Sequence, residues 1–269
     1  MNPTQIGIDV GGTLIKVAYA DEGDVTYRKF PANQLNEAAS WVRENFSEAE
    51  ICVTGGKAAL FQTALERETR TLVEFDATCR GIQYLLNSAG ISLESFILTN
   101  AGTGTSIHFV KGKEHSRVGG SGIGGGTIMG LSSLLTGVQE YGKIVRVAER
   151  GNRGTIDLKV RHIYEGSEPP ISGDLTASNF GRISEGRDEK DMLASVIGLV
   201  GESVATVSVF AAEQRGVSSI VFIGSSFVEN VVLKEVVKSY TSLKGMQPVF
   251  VENGEYSGAV GALLALNQD

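Results

Sequence analysis

The sequence predicts an α/β protein made of two related lobes that meet near residue 96. Short strand-like runs rich in Val and Ile alternate with segments of helical periodicity. Several of these runs end in glycine, and strands that end in this way present ligand-binding groups at their carboxyl ends. The pattern after residue 96 (a strand, a glycine turn, a hairpin, then helices and strands) repeats the one before it. We therefore expect one lobe over residues 1–96 and a second over residues 97–269.

In the first lobe, apolar or alternating runs predict strands, and apolar residues at helical spacing predict helices. The predicted strands are 5–10, 14–20, 24–30, 50–55 and 71–75. The predicted helices are 35–46, 57–66 and 77–88. The first two strands flank Gly11-Gly12-Thr13, which is typical of a β-hairpin turn.

The second lobe repeats this order and becomes mostly helical toward its end. The predicted strands are 96–100, 106–111, 116–119, 219–224 and 248–251. The predicted helices are 190–214, 229–241 and 256–267.

The composition limits the classes of protein. A net charge of −7 argues against a general nucleic-acid or anionic-membrane binder. The first ten residues lack the features of a signal peptide, and no apolar run approaches the ~18 residues that span a bilayer. We therefore expect a soluble, cytoplasmic protein. Cys52 and Cys79 are interpreted as reduced core residues, because two unpaired cysteines build neither a disulfide framework nor a four-ligand zinc site.

Glycine is unusually abundant: it makes up 34 of the 269 residues, or about 13%, against roughly 7% in average proteins. Only 5 prolines accompany these glycines, without a Gly-X-Y period, so a collagen is excluded. The glycines cluster beside strand ends and helix starts, which indicates close backbone approaches.

The first cluster is DVGGTLIK (residues 9–16), which combines groups suited to a nucleotide's phosphates. Its Gly11-Gly12 turn allows backbone N–H groups to approach phosphate oxygens. Thr13 adds a hydroxyl donor, Lys16 adds a positive charge, and Asp9 is a candidate to hold Mg²⁺ through its water ligands. A plain hairpin turn remains the alternative for this loop taken alone.

Two further clusters repeat this chemistry. NAGTGTS (residues 100–106) is again a hydroxyl-rich glycine turn between strands, and GGSGIGGGTIMG (residues 119–130) is expected to offer free N–H donors at a helix N-terminus. The GxGxxG fingerprint fits neither residues 9–16 nor residues 100–106, and GxxxxGK[ST] is absent from the sequence. Two such hairpins, one per lobe, match the phosphate loops of the actin-like sugar and acetate kinases. Ser225, after a buried strand, would suit an adenosine contact.

Phosphoryl transfer to an alcohol needs a carboxylate that orients the hydroxyl and accepts its proton. Glu74 is the candidate, because it lies among apolar neighbours at the end of the predicted strand 71–75. Asp76 is the rival, and its position just before a predicted helix favours an N-cap role. Arg117 is a candidate to hold a carboxylate or phosphate. His108, His115 and His162 show no ligand spacing and are interpreted as structural or surface residues.

These motifs, in this order along the whole chain, resemble the type II pantothenate kinases, most closely the compact staphylococcal and bacillus-type enzymes. The matching segments are DVGGTLIK (9–16), VEFDA (73–77), GTGTS (102–106), RVGG (117–120), TIDLKV (155–160), EPP (168–170), GDLT (173–176), GSSF (224–227), VENG (251–254) and SGA (257–259).

The resemblance implies a two-lobed, actin-like (ribonuclease H-like) ATPase fold with ATP in the cleft between the lobes. It implies ATP-dependent phosphorylation of pantothenate to 4'-phosphopantothenate, the first step of coenzyme A biosynthesis, with Mg²⁺. It further implies a homodimer in which the neighbouring subunit helps to close the pantothenate pocket.

The resemblance also implies the role of each matched residue. Glu74 is matched to the catalytic base. The positions matched to ATP binding are Asp9, Val10, Gly11, Gly12, Thr13, Leu14, Ile15, Lys16, Thr103, Gly125, Gly126, Thr127, Ile128, Met129, Tyr141 and Ser225. The positions matched to pantothenate binding are Glu74, Thr103, Ser106, Arg117, Thr176 and Tyr240, the last two acting from the neighbouring subunit.

Two other functions were weighed against this one. A sugar or N-acetylhexosamine kinase of the repressor–kinase family shares the glycine-rich start, but it usually carries a cysteine-rich zinc motif beside a histidine, which this chain lacks. A non-catalytic, actin-like nucleotide switch needs no alcohol-orienting carboxylate, so Glu74 and Arg117 argue against it.

Overall fold

The computed structural model describes residues 5–21, 24–183 and 187–267. The strands in this part of the chain are β1 (Gln5–Val10), β2 (Leu14–Asp21), β3 (Asp24–Pro31), β4 (Glu50–Thr54), β5 (Arg70–Thr71), β6 (Ser95–Ala101), β7 (Thr105–Lys111), β8 (Glu114–Ser121), β9 (Leu158–Lys159), β10 (Thr176–Ser178), β11 (Ser219–Ile223) and β12 (Gln247–Phe250). The α-helices are α1 (Leu35–Asn45), α2 (Ala58–Leu65), α3 (Glu74–Ser88), α4 (Gly125–Thr136), α5 (Tyr141–Ala148), α6 (Val160–Ile163), α7 (Glu189–Arg215), α8 (Val231–Leu243) and α9 (Ser257–Ala265).

Two five-stranded sheets share one topology. In the first, β1, β2 and β3 form an antiparallel meander, and β4 and then β5 add in parallel on the other side of β1. In the second, β6, β7 and β8 form the meander, and β11 and then β12 add in parallel on the other side of β6. The prediction of an α/β protein with a repeated strand pattern is confirmed. A two-stranded ribbon of β9 and β10 lies apart from both sheets.

Two helices join the lobes. Helix α3 packs through Ile82 and Leu86 on apolar residues of the second sheet. Helix α9 packs through Val260 and Leu263 on the first sheet. The expected division near residue 96 separates the strands of the two sheets, whereas each of these helices packs on the sheet of the other half.

Helix α7 forms the centre of the second lobe. It contributes the buried Leu193, Ile197, Val200 and Val204 to the largest apolar cluster. Its length and composition would allow it to cross a membrane, but 72% of its most apolar 18-residue window is buried inside the protein. Such burial is what the core helix of a globular lobe requires.

The predicted strand 71–75 and the predicted start of the next helix are wrong. Only Arg70 and Thr71 pair with β4, and α3 already begins at Glu74. Carboxylates in the first turn of a helix are favoured by its dipole, and Glu74 and Asp76 occupy that turn. The N-cap role expected for Asp76 is therefore also wrong, because Val73 is the N-cap residue.

The other predicted elements are present, with ends that differ by at most two residues. Helix α8 begins at Val231 rather than at residue 229, because Asn230 caps it and accepts a hydrogen bond from the Leu233 amide at 3.0 Å. Helices α5 and α6 and strands β9 and β10 were not predicted. The last three are four residues or shorter and carry little periodic signal.

Candidate active site

The glycine hairpins of the two sheets face each other across a cleft that holds two connected cavities. The hairpin cavity, of about 310 Å³, lies between the β1–β2 and β6–β7 turns. The helix cavity, of about 360 Å³, continues past these turns toward α4 and α5. Both are lined by Thr13, Leu14, Lys16, Gly102, Thr103 and Ser225.

The β1–β2 turn places its polar groups at the hairpin cavity. Asp9 and Lys16 are cross-strand partners, and Lys16 Nζ lies 3.5 Å from Asp9 Oδ2. A Cβ at Gly12 would come no nearer than 3.8 Å to a neighbour, the Thr103 hydroxyl, so this backbone faces open space. Val10 and Ile15 have no exposed surface and belong to the core of the first lobe, where they hold the hairpin in place.

The β6–β7 turn meets the β1–β2 turn through hydroxyl groups. Thr103 Oγ1 lies 2.7 Å from Thr13 Oγ1, and a Cβ at Gly102 would meet nothing within 4 Å. Ser106, one residue into β7, also lines the hairpin cavity. The two turns therefore offer hydroxyls and accessible backbone from opposite sides, which suits a polyphosphate.

The N-terminus of α4 does not offer the free donors that were expected. The amides of Gly125 and Gly126 donate to the carbonyl oxygens of Gly102 and Thr103 at 2.8 and 2.9 Å. A Cβ at Gly126 would lie only 3.0 Å from the Thr103 carbonyl oxygen. These glycines thus allow α4 to brace the β6–β7 turn, and they line the helix cavity together with Met129.

Two other residues of this segment do not face the cavities. Ile128 has no exposed surface, and the Thr127 hydroxyl donates to the Gly122 carbonyl at 3.1 Å. Both stabilise the entry to α4.

Ser225 and Tyr141 both line the helix cavity, Ser225 where it joins the hairpin cavity. Gly224 adopts a φ of 114°, which directs the chain after β11 into the short turn that carries Ser225. The Tyr141 hydroxyl donates to the Ser226 carbonyl at 2.5 Å and accepts a hydrogen bond from Asn230. Burial raises the pKa of Tyr141 to about 12, so this phenol stays protonated and fixes the wall.

Glu74 lies at the first position of α3 and lines the hairpin cavity with Asp9 and Lys16. Glu74 is exposed at the edge of this cavity. Its partial desolvation raises the pKa of its carboxyl, and the charge of Asp9 raises it further, while Lys16 opposes both effects. A carboxylate with a raised pKa in a cleft of donors is suited to accept a proton from a hydroxyl.

Arg117 does not line either cavity. It lies exposed on β8, and its Nη2 atom would be 2.5 Å from a Cβ at Gly120. Gly120 is the cross-strand partner of Ser106, which does line the hairpin cavity. The guanidinium is therefore beside the rim of that cavity.

Thr176 and Tyr240 lie elsewhere in the chain. The Thr176 amide donates to the Tyr240 hydroxyl at 3.0 Å, and both residues line a side cavity of about 710 Å³. This side cavity shares no lining residue with the other two. Burial alone would raise the pKa of the adjacent Glu202, but Arg153, together with hydrogen bonds from Thr176 and Asn179, lowers it.

Sequence reasoning did not find several residues of the cleft. Lys29, Glu229 and Tyr256 line the helix cavity, and Asn100 and Phe75 line the hairpin cavity. Lys29 carried a signal in principle, because it is the cross-strand partner of Lys16 on β3. Glu229 and Tyr256 reach the cleft only through the packing of distant segments, whereas Asn100 and Phe75 lie inside NAGTGTS (100–106) and VEFDA (73–77) but were given no role of their own.

Comparisons with known proteins show which family this chain belongs to. A family model described as Fumble matches residues 21–265. Type II pantothenate kinases from Staphylococcus saprophyticus and Staphylococcus aureus (strain USA300) are 47% and 43% identical to this chain over 263 residues. The matches cover 96% of this chain and 99% and 98% of those proteins.

Solved structures with low sequence identity share the fold. Component A of (R)-2-hydroxyglutaryl-CoA dehydratase from Acidaminococcus fermentans aligns with a TM-score of 0.67 and 16% identity, over 97% of this chain and 96% of that one. A ROK family glucokinase from Streptomyces griseus, in complex with glucose and AMPPNP, aligns with a TM-score of 0.57 and 17% identity, over 97% and 98%. The actin-like ATPase fold expected from the sequence is confirmed.

Proposed function

Because the chain belongs to the Fumble family of type II pantothenate kinases, we propose that it transfers the γ-phosphoryl group of ATP to the primary hydroxyl of pantothenate. The product is 4'-phosphopantothenate, and the reaction is the first step of coenzyme A biosynthesis. The observation that carries this proposal is the single cleft in which a carboxylate with a raised pKa, Glu74, faces two hydroxyl-rich glycine turns.

Glu74 acts as the base in this proposal. Its carboxylate accepts a hydrogen bond from the pantothenate hydroxyl, orients the oxygen toward the phosphoryl group and takes the proton as the new P–O bond forms. The raised pKa brings the carboxyl closer to the operating pH, which improves a general base that must still be ionised.

The two turns hold the phosphates of ATP. Thr13 and Thr103, whose hydroxyl oxygens lie 2.7 Å apart, each donate a hydrogen bond to phosphate oxygens that enter between them. Lys16 neutralises charge on the transferred group, and the space beside Gly12 and Gly102 admits the phosphates close to the backbone. The helix cavity, with Met129, Tyr141 and Ser225 in its walls, takes the adenosine.

Asp9 is suited to Mg²⁺. Its carboxylate is partly buried at the hairpin cavity, and Mg²⁺ prefers oxygen ligands and keeps several of its waters. When bound, the ion supplies charge neutralisation at the phosphate oxygens. Lys16, at 3.5 Å from Asp9 Oδ2, holds this carboxylate in place on the neighbouring strand.

Arg117 and Ser106 hold pantothenate. Arg117 pairs with the carboxylate of pantothenate in a bidentate contact at the cavity rim. The Ser106 hydroxyl, inside that rim, orients the polar middle of the molecule.

The protein acts as a homodimer in the cytoplasm, without nucleic-acid or membrane partners. Thr176 and Tyr240 lie in the side cavity of their own chain, and exposed apolar side chains surround it, among them Ile171, Phe210 and Leu243. A partner subunit that covers this face would receive Tyr240 at its own pantothenate pocket. Mixing Glu74→Gln with Tyr240→Ala chains tests this, because only mixed dimers contain one complete site. Restored turnover supports the shared pocket, and a mixture as inactive as its parents rejects it.

Release of ADP with pantothenate, compared with a panel of sugars and N-acetylhexosamines, tests the substrate. The proposal expects turnover with pantothenate and background rates with the sugars. Turnover with a hexosamine but not with pantothenate would replace it with the sugar kinase alternative.

A further inference from the structure

Three side chains with metal-binding atoms converge outside the catalytic cleft. Cys79 lies on α3, His108 on β7 and His115 on β8, and one candidate ligand atom from each lies within 4.8 Å of the other two. They are separated by up to 36 positions in the sequence, so their spacing gives no motif. The packing of α3 on the second sheet brings them together.

His108 is the most informative member of this cluster. Its side chain is 2% exposed, and neither ring nitrogen has a hydrogen-bond partner among the described residues. A neutral imidazole carries one N–H and one lone pair, and buried polar atoms are rarely left unpaired. A ring nitrogen of His108 is therefore available to a metal ion at this cluster.

The other side chains complete a set of ligands. Cys79 is 2% exposed and offers a sulfur from the middle of α3. The Asp76 carboxylate, one turn earlier on α3, lies 3.0 Å from His115 Nε2. Carboxylates commonly contact ligating histidines and orient their rings. Because Asp76 and His115 are partly exposed, a fourth ligand, either this carboxylate or a water, can approach from solvent.

We propose that Cys79, His108 and His115 bind a Zn²⁺ ion that links α3 to the β7–β8 hairpin. One thiolate and two imidazoles are ligands that Zn²⁺ prefers, whereas Mg²⁺ requires oxygen. Binding replaces the thiol proton: the Zn–S bond forms, and the proton is released to solvent. Exchange of one proton for the ion adds one positive charge to the site, and the Asp76 carboxylate, 3.0 Å from His115 Nε2, is placed to offset it.

The geometry requires a small adjustment. With Zn–S at about 2.3 Å and Zn–N at about 2.0–2.1 Å, tetrahedral ligand atoms lie roughly 3.3–3.6 Å apart. Ligand atoms at the largest separation of 4.8 Å must therefore draw together by about 1.2–1.5 Å. His115 lies near the end of a hairpin strand and is partly exposed, which leaves it room to turn.

The consequence of such a link follows from its position. Glu74 begins the helix that carries Cys79, and Arg117 lies two residues after His115. A bound ion would fix the start of α3 against β8 and so hold Glu74 and Arg117 at one separation. The site itself does not depend on which substrate the cleft binds.

Co²⁺ is the probe for this site. The full chain is stripped with a chelator and titrated with Co²⁺, which reports a thiolate ligand and four-coordinate geometry through its absorption. We expect sulfur-to-cobalt charge-transfer bands and intense visible bands that saturate at one equivalent and disappear on adding Zn²⁺. Failure of the wild-type chain to develop these bands overturns the proposal.

Three variants locate the binding. Cys79→Ser should remove the charge-transfer band, and His115→Ala, at a partly exposed position that the fold tolerates, should remove saturable binding. Cys52→Ser is the matched control, because Cys52 is equally buried and free but lies on β4 of the first sheet, whereas Cys79 packs against the second sheet. Bands that survive in His115→Ala, or that are lost in Cys52→Ser alone, contradict the assignment.

Thermal unfolding gives an independent readout. Zn²⁺ should raise the Tm of the wild-type chain and of Cys52→Ser, since an ion that binds only the folded state stabilises it. His115→Ala should show no such rise, and an equal rise in this variant would contradict the proposed site. None of these measurements uses kinase activity, so their outcome is separate from that of the proposed function.

Discussion

The crossing of α3 and α9 offers a sharp test of the fold. A Cβ at Gly81 would overlap the carbonyl oxygen of Ser257, and a Cβ at Gly261 would overlap that of Ala77. Both obstacles are backbone atoms, which cannot rotate away as a side chain can. Gly81→Ala must therefore push the two helices apart.

Two opposing terms set the size of this effect. Alanine is favoured over glycine inside a helix by about 0.8–1.0 kcal/mol. Overpacking costs about 1–3 kcal/mol and occasionally more, and a rigid obstacle belongs at the upper end. We expect Gly81→Ala to destabilise the protein by about 2 kcal/mol. Because Glu74 lies two turns earlier on the same helix, a shift of about 1 Å should also lower kcat by up to roughly 10²-fold.

Gly130→Ala is the matched control. Gly130 also lies inside a helix, α4, but a Cβ there would meet nothing within 4 Å. This variant should gain about 0.8–1.0 kcal/mol. Urea unfolding of both variants measures the difference, and kcat at saturating substrate measures the displacement of Glu74. If Gly81→Ala gains stability as the control does and keeps its kcat, the two helices are not in backbone contact.

Three further predictions concern charged residues. Glu74→Gln should keep ATP binding but lower kcat about 10²–10⁴-fold. In the wild-type chain, kcat/KM should decrease as the pH is lowered, because the base must be ionised. This decrease should begin above the ordinary carboxyl pKa of 4.5, because the pKa of Glu74 is raised. Arg117→Ala should raise KM for pantothenate more than it lowers kcat, as steady-state kinetics would measure. Arg153→Met leaves two carboxylates with little exposed surface, Asp157 and Glu202, without their cation and should cost about 3–5 kcal/mol by urea unfolding.

Matched control variants distinguish these effects from a non-specific loss of stability or activity. Lys113→Ala removes an exposed cation from the same hairpin as Arg117 and should leave KM unchanged. Arg146→Met breaks the exposed pair with Glu140 and should cost less than about 1 kcal/mol. If Glu74→Gln keeps its kcat and still shows the decrease of kcat/KM at low pH, Glu74 is not the base. Equal losses of stability in the two arginine variants would contradict the buried network at Arg153.

The sequence predicted the order of strands and helices well, but it did not predict which contacts the glycines make. The alternation of strands and helices, and the double-glycine hairpins, depend on local backbone chemistry and could be read directly. Gly125 and Gly126 were expected to bind a ligand, but their amides brace the β6–β7 turn. Gly81 instead allows two helices to touch, a contact between residues too far apart in sequence for a local pattern to reveal.

The site was predicted as a set of residues rather than as a geometry. Glu74 lines the cleft, but it begins a helix rather than ending a strand, because a short run such as TLVEF (71–75) looks alike at a strand end and before a helix. Cys79 was interpreted as a core residue and His108 as a structural or surface residue, since only the packing of α3 on β7 and β8 places them side by side. Thr176 and Tyr240 lie apart from Glu74 within one chain, and their role across a dimer stays a prediction.

The most direct test of the central claim is the identity of the phosphorylated product. The chain is incubated with ATP, Mg²⁺ and an equal mixture of pantothenate and N-acetylglucosamine, and the products are resolved by phosphorus NMR and mass spectrometry. The account predicts one phosphorylated product, pantothenate carrying phosphate on its primary hydroxyl, and no such product from Glu74→Gln. A phosphorylated sugar, or release of inorganic phosphate with pantothenate unchanged, would contradict it.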